Sequence, residues 1–125
     1  MSLIRQFSPE FDNYLRDESR STGFAETISF PKTEAEVVEI VKACYDRGEA
    51  ITTQGARTGL AAACVPKGGH ILNLSRLNKI TGLRYDSAAD TYYLQVEPGV
   101  LLSQVRKAVE NKAFDIAEWS AASID

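Results

Sequence analysis

The feature that most constrains this chain is a helix with both ends marked, set between two short extended runs. Thr33 with Glu36 three residues later forms a capping box, and Glu34 and Glu36 sit where the helix dipole favours acids. Val37, Val38, Ile40, Val41, Cys44 and Tyr45 recur at helical spacing as an apolar stripe, and Gly48 supplies the C-terminal stop. Before this helix, Thr27 to Phe30 reads as extended, and Pro31 biases Phe30 away from helix. After it, Ala50 to Thr53 reads as a strand. Two strands joined through a helix pair in parallel.

The rest of the chain adds pieces around that unit. Ser8-Pro9-Glu10-Phe11 predicts a helix start, with Phe11, Tyr14 and Leu15 on one face. Asp17 to Thr22 is polar and predicts a loop. Gly68-Gly69 turns the chain into a strand from His70 to Leu74. Ile80 to Asp86 and Thr91 to Glu97 predict a hairpin around Ser87-Ala88-Ala89-Asp90, with Tyr92, Leu94 and Val96 alternating against Tyr93, Gln95 and Glu97. Pro98-Gly99 ends it. Leu101, Leu102, Val105, Ala108 and Val109 mark a second amphipathic helix, ending near Asn111. The expected fold class is α+β: a two-layer arrangement with a small mixed sheet and helices, without repeat or linker.

At 125 residues one domain is expected, with about 65% of the unfolded surface removed from water on folding. The net charge of −3 comes from 14 basic and 17 acidic residues well mixed along the chain, so no nucleic-acid footprint is expected. No run approaches the roughly 20 apolar residues of a membrane span, and the first residues lack an apolar leader core. Cys44 and Cys64 fit no paired metal spacing and read as small buried side chains in a reduced, cytoplasmic setting.

Between the strand at 50–53 and Gly68 lies "TTQGARTGLAAACVP", residues 52 to 66, nearly bare of bulky side chains. Two readings stand open. Small residues after a strand can leave backbone N–H groups pointing outward together, a nest for an anion such as phosphate. They can equally form a tight packing joint. The G-x-x-x-G spacing of Gly55 and Gly59 excludes a Rossmann dinucleotide turn, and no Lys-Ser/Thr pair follows to make a P-loop. Thr53, Gln54, Arg57 and Thr58 would be the polar attendants of another kind of phosphate cradle.

Ser29 to Ile80 carries a resemblance. A strand ending in Pro, a Val/Ile-rich helix, a short strand into a P-R-G-x-G-T-G-L-like loop and the exit Ile71 to Asn78 are similar to the flavin-binding domain of the vanillyl-alcohol oxidase/p-cresol methylhydroxylase (PCMH) family, in particular D-2-hydroxyacid dehydrogenases of glycolate oxidase and D-lactate dehydrogenase type. Tyr14 to Ser19 and Val96 to Val100 resemble family positions too, so the likeness reaches to about Phe114. It implies non-covalent FAD, because no histidine stands near Arg57, where relatives with covalent flavin often carry one. Carried over, Thr53, Gln54, Gly55, Ala56, Arg57, Thr58, Gly59, Leu60 and Ala61 would wrap the pyrophosphate, and Ser75, Pro98 and Gly99 would line the cofactor. Where the family usually has Arg and Gly, this chain has Gln54 and Arg57.

The resemblance further implies that the chain corresponds to the first half of a PCMH-type FAD-binding domain. The family's second glycine-rich stretch and substrate cap, with the catalytic residues, lie outside it. The implied function is the FAD-binding portion of an oxidoreductase acting on a small 2-hydroxy acid. The alternatives are a non-catalytic nucleotide-binding or partner-completed module, and the start of a UDP-N-acetylenolpyruvoylglucosamine reductase-like enzyme. The Arg-Thr-Gly-Leu and Leu-Ser-Arg-Leu-Asn matches favour the hydroxyacid branch. His70 is expected to be structural, Asp115 and Glu118 to be surface carboxylates, and self-association through an apolar docking face is an expectation of the truncation.

Overall fold

The computed structural model describes residues 3–59 and 62–111. It divides into two units, Met1–Leu77 and Asn78–Asp125.

The first unit is a four-stranded sheet in the order β1-β2-β4-β3, built from β1 (Arg5–Gln6), β2 (Thr27–Ser29), β3 (Ile51–Gln54) and β4 (His70–Asn73). β4 pairs in parallel with both β2 and β3, so the two strands flanking the helix run parallel but are separated by β4 rather than paired, and β1 adds an antiparallel edge. The helix α1 (Glu34–Asp46) begins where the capping residues place it: Thr33 Oγ1 accepts from the Glu36 amide at 3.1 Å. It ends at Gly48, whose φ of 65° is the left-handed conformation that closes a helix cheaply only with glycine.

The alternation of side chains along β4 assigns the two faces. Leu72 packs with Ile40 and Cys44 of α1, joined by Ile51 and Val37. Ile71, one residue away, packs on the other face with Ile28 and Phe11. That second face is covered by a 3-10 helix, Pro9–Leu15, with Phe7, Tyr14 and Phe30 around it. Ile28, Ile40 and Ile71 are essentially removed from solvent, each contributing about 1.5–3 kcal/mol of burial free energy.

Two local expectations are modified, and one strand was not expected. The segment after Ser8 is a 3-10 rather than an α-helix; the Ser8 hydroxyl bonds the Glu10 carboxylate instead of capping an amide. β1 carries no periodic pattern and exists only through its partner β2. On α1, only Ile40 and Cys44 are buried, while Val38, Val41 and Tyr45 are exposed: one sheet face covers a narrower arc than the apolar stripe spans.

The glycine turn is required by a close approach. Gly69 has φ 71°, and a Cβ there would stand 2.4 Å from the Ala50 carbonyl oxygen. That oxygen accepts from the His70 amide at 2.9 Å and starts the β3–β4 ladder.

The second unit contains the hairpin β5 (Ile80–Asp86) and β6 (Thr91–Val96), an antiparallel pair with an irregularity between Ile80 and Gly82, and the helix α2 (Leu102–Glu110). Its turn is the expected one: Asp86 Oδ1 accepts from the Ala88 and Ala89 amides, and Asp90 takes a left-handed φ of 48°. No helix among the described residues is long and apolar enough to cross a membrane.

Candidate functional site

Gln54 ends β3 beside Asn73 of β4, and the Leu74 amide still donates to the Gln54 carbonyl at 2.8 Å. The bare loop and Ser75 therefore leave the sheet side by side, at the carboxyl ends of its parallel strands. In open α/β sheets this edge is where ligands collect.

A cleft of about 260 Å3 is lined by Gly55, Arg57, Thr58 and Gly59 of the loop together with Ala63, Cys64 and Asp17. A second hollow of about 290 Å3, bounded by Asn13, Arg16, Asp17, Glu18, Ala56 and Arg57, adjoins it through the shared Arg57 and Asp17. Thr53, Ala56, Thr58 and Gly59 are exposed. A Cβ added at Gly59 would meet nothing within 4 Å, so no packing within the described residues demands a glycine there. Arg57 and Ala62 hold left-handed φ values of 58° and 60°, a conformation costing a non-glycine residue about 1–2 kcal/mol. Arg57 thus stands in a backbone shape that glycine adopts freely.

The Arg57 guanidinium lies 4.5 Å from the centre of the Tyr14 ring and donates to the Asn13 carbonyl. The Asp17 carboxyl is held below its usual range, first by the Ser19 hydroxyl and also by the Ser19 amide at 2.8 Å, Cys64 and the Ala62 amide. Burial foremost, and then Asp17, push the Cys64 thiol up, so it is no ready nucleophile. Arg57 is the one basic residue among the described residues lining this cleft.

Gln54 points away from the cleft. Its carboxamide is wholly buried, donating to the carbonyls of Tyr14 at 2.6 Å and Cys64 at 2.9 Å and accepting from Asn73 Nδ2 at 3.1 Å. His70 is equally buried and belongs to the sheet: its two ring nitrogens bond Thr27 Oγ1 and Ser29 Oγ, each at 2.7 Å.

The structure therefore brings together Thr53 to Gly59 and Ser75. Leu60 and Ala61, like Asp115 and Glu118, lie outside the described residues. Pro98 and Gly99 form a tight turn in the second unit, closed by the Val100 amide on the Glu97 carbonyl at 3.1 Å. Asn13, Tyr14, Asp17, Cys64 and Asn73 are the cleft and loop partners that the sequence left unassigned. Tyr14 and Asp17 carried a signal only through the resemblance of Tyr14 to Ser19 to family positions, and Asn73 as a polar residue inside an apolar strand.

A protein-family model described as an FAD binding domain matches residues 25–123. The chain is 31% identical over 106 residues to a D-lactate dehydrogenase of Anaerostipes hadrus, covering 82% of this chain and 22% of that protein. It is 33% identical over 93 residues to a probable mitochondrial D-2-hydroxyglutarate dehydrogenase of Oryza sativa subsp. indica, covering 74% of this chain and 16% of that protein. Among solved structures, GilR, an oxidoreductase that catalyses the terminal step of gilvocarcin biosynthesis, superposes with a TM-score of 0.70 at 21% identity over 89% of this chain and 22% of that one. 6-Hydroxy-D-nicotine oxidase of Arthrobacter nicotinovorans gives 0.65 at 18% identity over 86% and 23%. The fold is thus the PCMH-type one, and the chain spans less than a quarter of each of these proteins.

Proposed function

The chain belongs to the FAD-binding domain family, and from that premise we propose that the loop after β3, residues 53–59 in its described part, holds the diphosphate of FAD in an oxidoreductase acting on a D-2-hydroxy acid. The observation that carries this reading is Gly59: exposed, beside a cleft at the carboxyl ends of parallel strands, and with open space where a side chain would stand. A ligand that needs the backbone explains a glycine that packing does not.

The residues present suit a diphosphate. Loop amides supply fixed dipoles without side-chain entropy loss, and Arg57 stands at the cleft wall. Asp17 opposes an anion, but its charge is already engaged by Ser19 and the Ala62 amide. Ser75 adds a hydroxyl at the same edge. When bound, FAD supplies a ring that accepts a hydride equivalent. The chain's own part is to bind and orient. Attachment is non-covalent in this proposal: Cys64 is a poor nucleophile, and His70 is buried with both nitrogens engaged.

The substrate class follows the D-lactate and D-2-hydroxyglutarate dehydrogenases among the relatives. The flavin ring and substrate are assigned to sequence those proteins carry beyond the matched part. A cytoplasmic setting belongs to the same proposal, motivated by two unpaired cysteines.

Titration with FAD, FMN, riboflavin and ADP tests the loop's role. FAD should bind at least about ten-fold more tightly than FMN, with ADP competing, as expected when a second phosphate adds charge-assisted hydrogen bonds. Riboflavin binding as tightly as FAD, or ADP failing to compete, would overturn it. In an enzyme of the relatives' length, D-lactate or D-2-hydroxyglutarate should bleach the flavin faster than the L-isomers; equal rates would reject the substrate assignment.

A further inference from the structure

We propose that Gln54 and Asn73 form a positioning pair that latches both ends of the ligand loop, so that loop shape depends on one buried carboxamide at its entrance rather than on the residues that follow. The inference rests on the diphosphate reading for its functional consequence, though not for its structural one. A glutamine amide has two N–H donors and one carbonyl acceptor. All three functions are used: Nε2 donates to the Tyr14 carbonyl at 2.6 Å and the Cys64 carbonyl at 2.9 Å, and Oε1 accepts from Asn73 Nδ2 at 3.1 Å. Asn73 Oδ1 in turn accepts the Ser75 amide at 3.0 Å. The pair therefore joins the loop's entrance, its far side at Cys64, the exit of β4 at Ser75 and the end of the 3-10 helix.

Orientation is fixed as well. Turning the Gln54 amide over would set Oε1 against two carbonyl oxygens and Nε2 against a donor. Gln54 and Asn73 are 0% and 1% exposed, so no water can stand in for a lost partner without opening the site. The loop's own contribution is weak by comparison. A Cβ at Gly59 would meet nothing within 4 Å, and Arg57 sits in a left-handed backbone conformation held by Tyr14 and Asn13. Tyr14 is gripped twice, by Arg57 on its ring and Gln54 on its carbonyl, so releasing Gln54 loosens the Arg57 anchor too.

The test uses trypsin cleavage after Arg57, mapped by mass spectrometry on the full chain, beside FAD affinity and thermal unfolding. Gln54→Leu should raise the cleavage rate at Arg57 at least about ten-fold, the change expected when the three hydrogen bonds of a buried carboxamide are lost from a local opening equilibrium. Cleavage after Lys42, within α1, should stay within two-fold on the same order-of-magnitude basis. Asn73→Leu, neutral and of similar shape, loses the bond to Gln54 Oε1 and the acceptor for Ser75 but leaves both Gln54–carbonyl bonds, so it should give a smaller rise at Arg57. It also decides the matter if Gln54→Leu does not fold. FAD affinity should fall in the same order. Unchanged cleavage at Arg57 in both variants, or equal acceleration at Arg57 and Lys42 in both, would overturn the proposal. Wild-type chain that ignores FAD and ADP would overturn the diphosphate reading instead, leaving the proteolysis result to decide the latch.

Discussion

Replacing His70 tests the centre of the first unit. Its imidazole is 0% exposed, with one ring nitrogen donating and the other accepting between Thr27 Oγ1 and Ser29 Oγ. His70→Ala would orphan two buried hydroxyls, each costing about 1–3 kcal/mol, and leave the volume of a ring unfilled. A loss of about 3–5 kcal/mol is expected, which for a domain of this size lowers Tm by more than about 12 °C. His70→Leu restores much of the volume, and adding Thr27→Val and Ser29→Ala removes the orphans, so the triple variant should recover at least about 1 kcal/mol over His70→Leu alone. Urea unfolding followed by circular dichroism reads all three. A His70→Ala loss below about 1 kcal/mol, or a triple variant no better than the single, would refute the hydrogen-bond account. The same residue sets a pH dependence. Burial pushes its pKa down, with Glu49 partly opposing, so the unfolded chain binds the proton first as pH falls. Stability should hold above about pH 6.5 and decline below it, by up to about 1.4 kcal/mol per pH unit until the folded imidazole also titrates. A flat profile through that window, or the reverse slope, would contradict the burial.

Two further perturbations separate backbone from chemistry. Gly69→Ala should cost more than about 2 kcal/mol, since it adds a clash with the Ala50 carbonyl to a left-handed φ, whereas Gly48→Ala, with the same handedness and nothing within 4 Å, should cost about 1 kcal/mol; denaturant midpoints compare them. Asp17→Asn should speed alkylation of Cys64 at neutral pH, because the carboxylate is the second cause holding that thiol up, while Cys44 stays protected until unfolding; thiol mass labelling gives both rates.

What the sequence made legible is what its local chemistry encodes. Thr33, Glu36 and Gly48 act within one turn of their own positions, so the helix ends could be read directly. The parallel direction of its flanking strands was legible too, but not that β4 would stand between them and pair with both. The hairpin turn was legible for the same reason, with Asp86 bonding amides two and three residues away. The loop's partners were not. Gln54 finds Tyr14 forty residues away and Asn73 nineteen away, and no periodicity reports such a meeting. The helix start at Ser8-Pro9 was legible but its 3-10 type was not: the hydroxyl of Ser8 caps no amide, and Phe11 and Tyr14 pack on Phe30, a partner distant in sequence.

The most direct measurement is FAD titration of Gly59→Val alongside its unfolding midpoint. Open space around this residue predicts stability within about 0.5 kcal/mol of wild type, as for surface positions generally. Backbone approach by a diphosphate predicts that FAD affinity falls at least about ten-fold. Lost stability with unchanged affinity would make the loop a packing joint and contradict its role as the ligand's cradle.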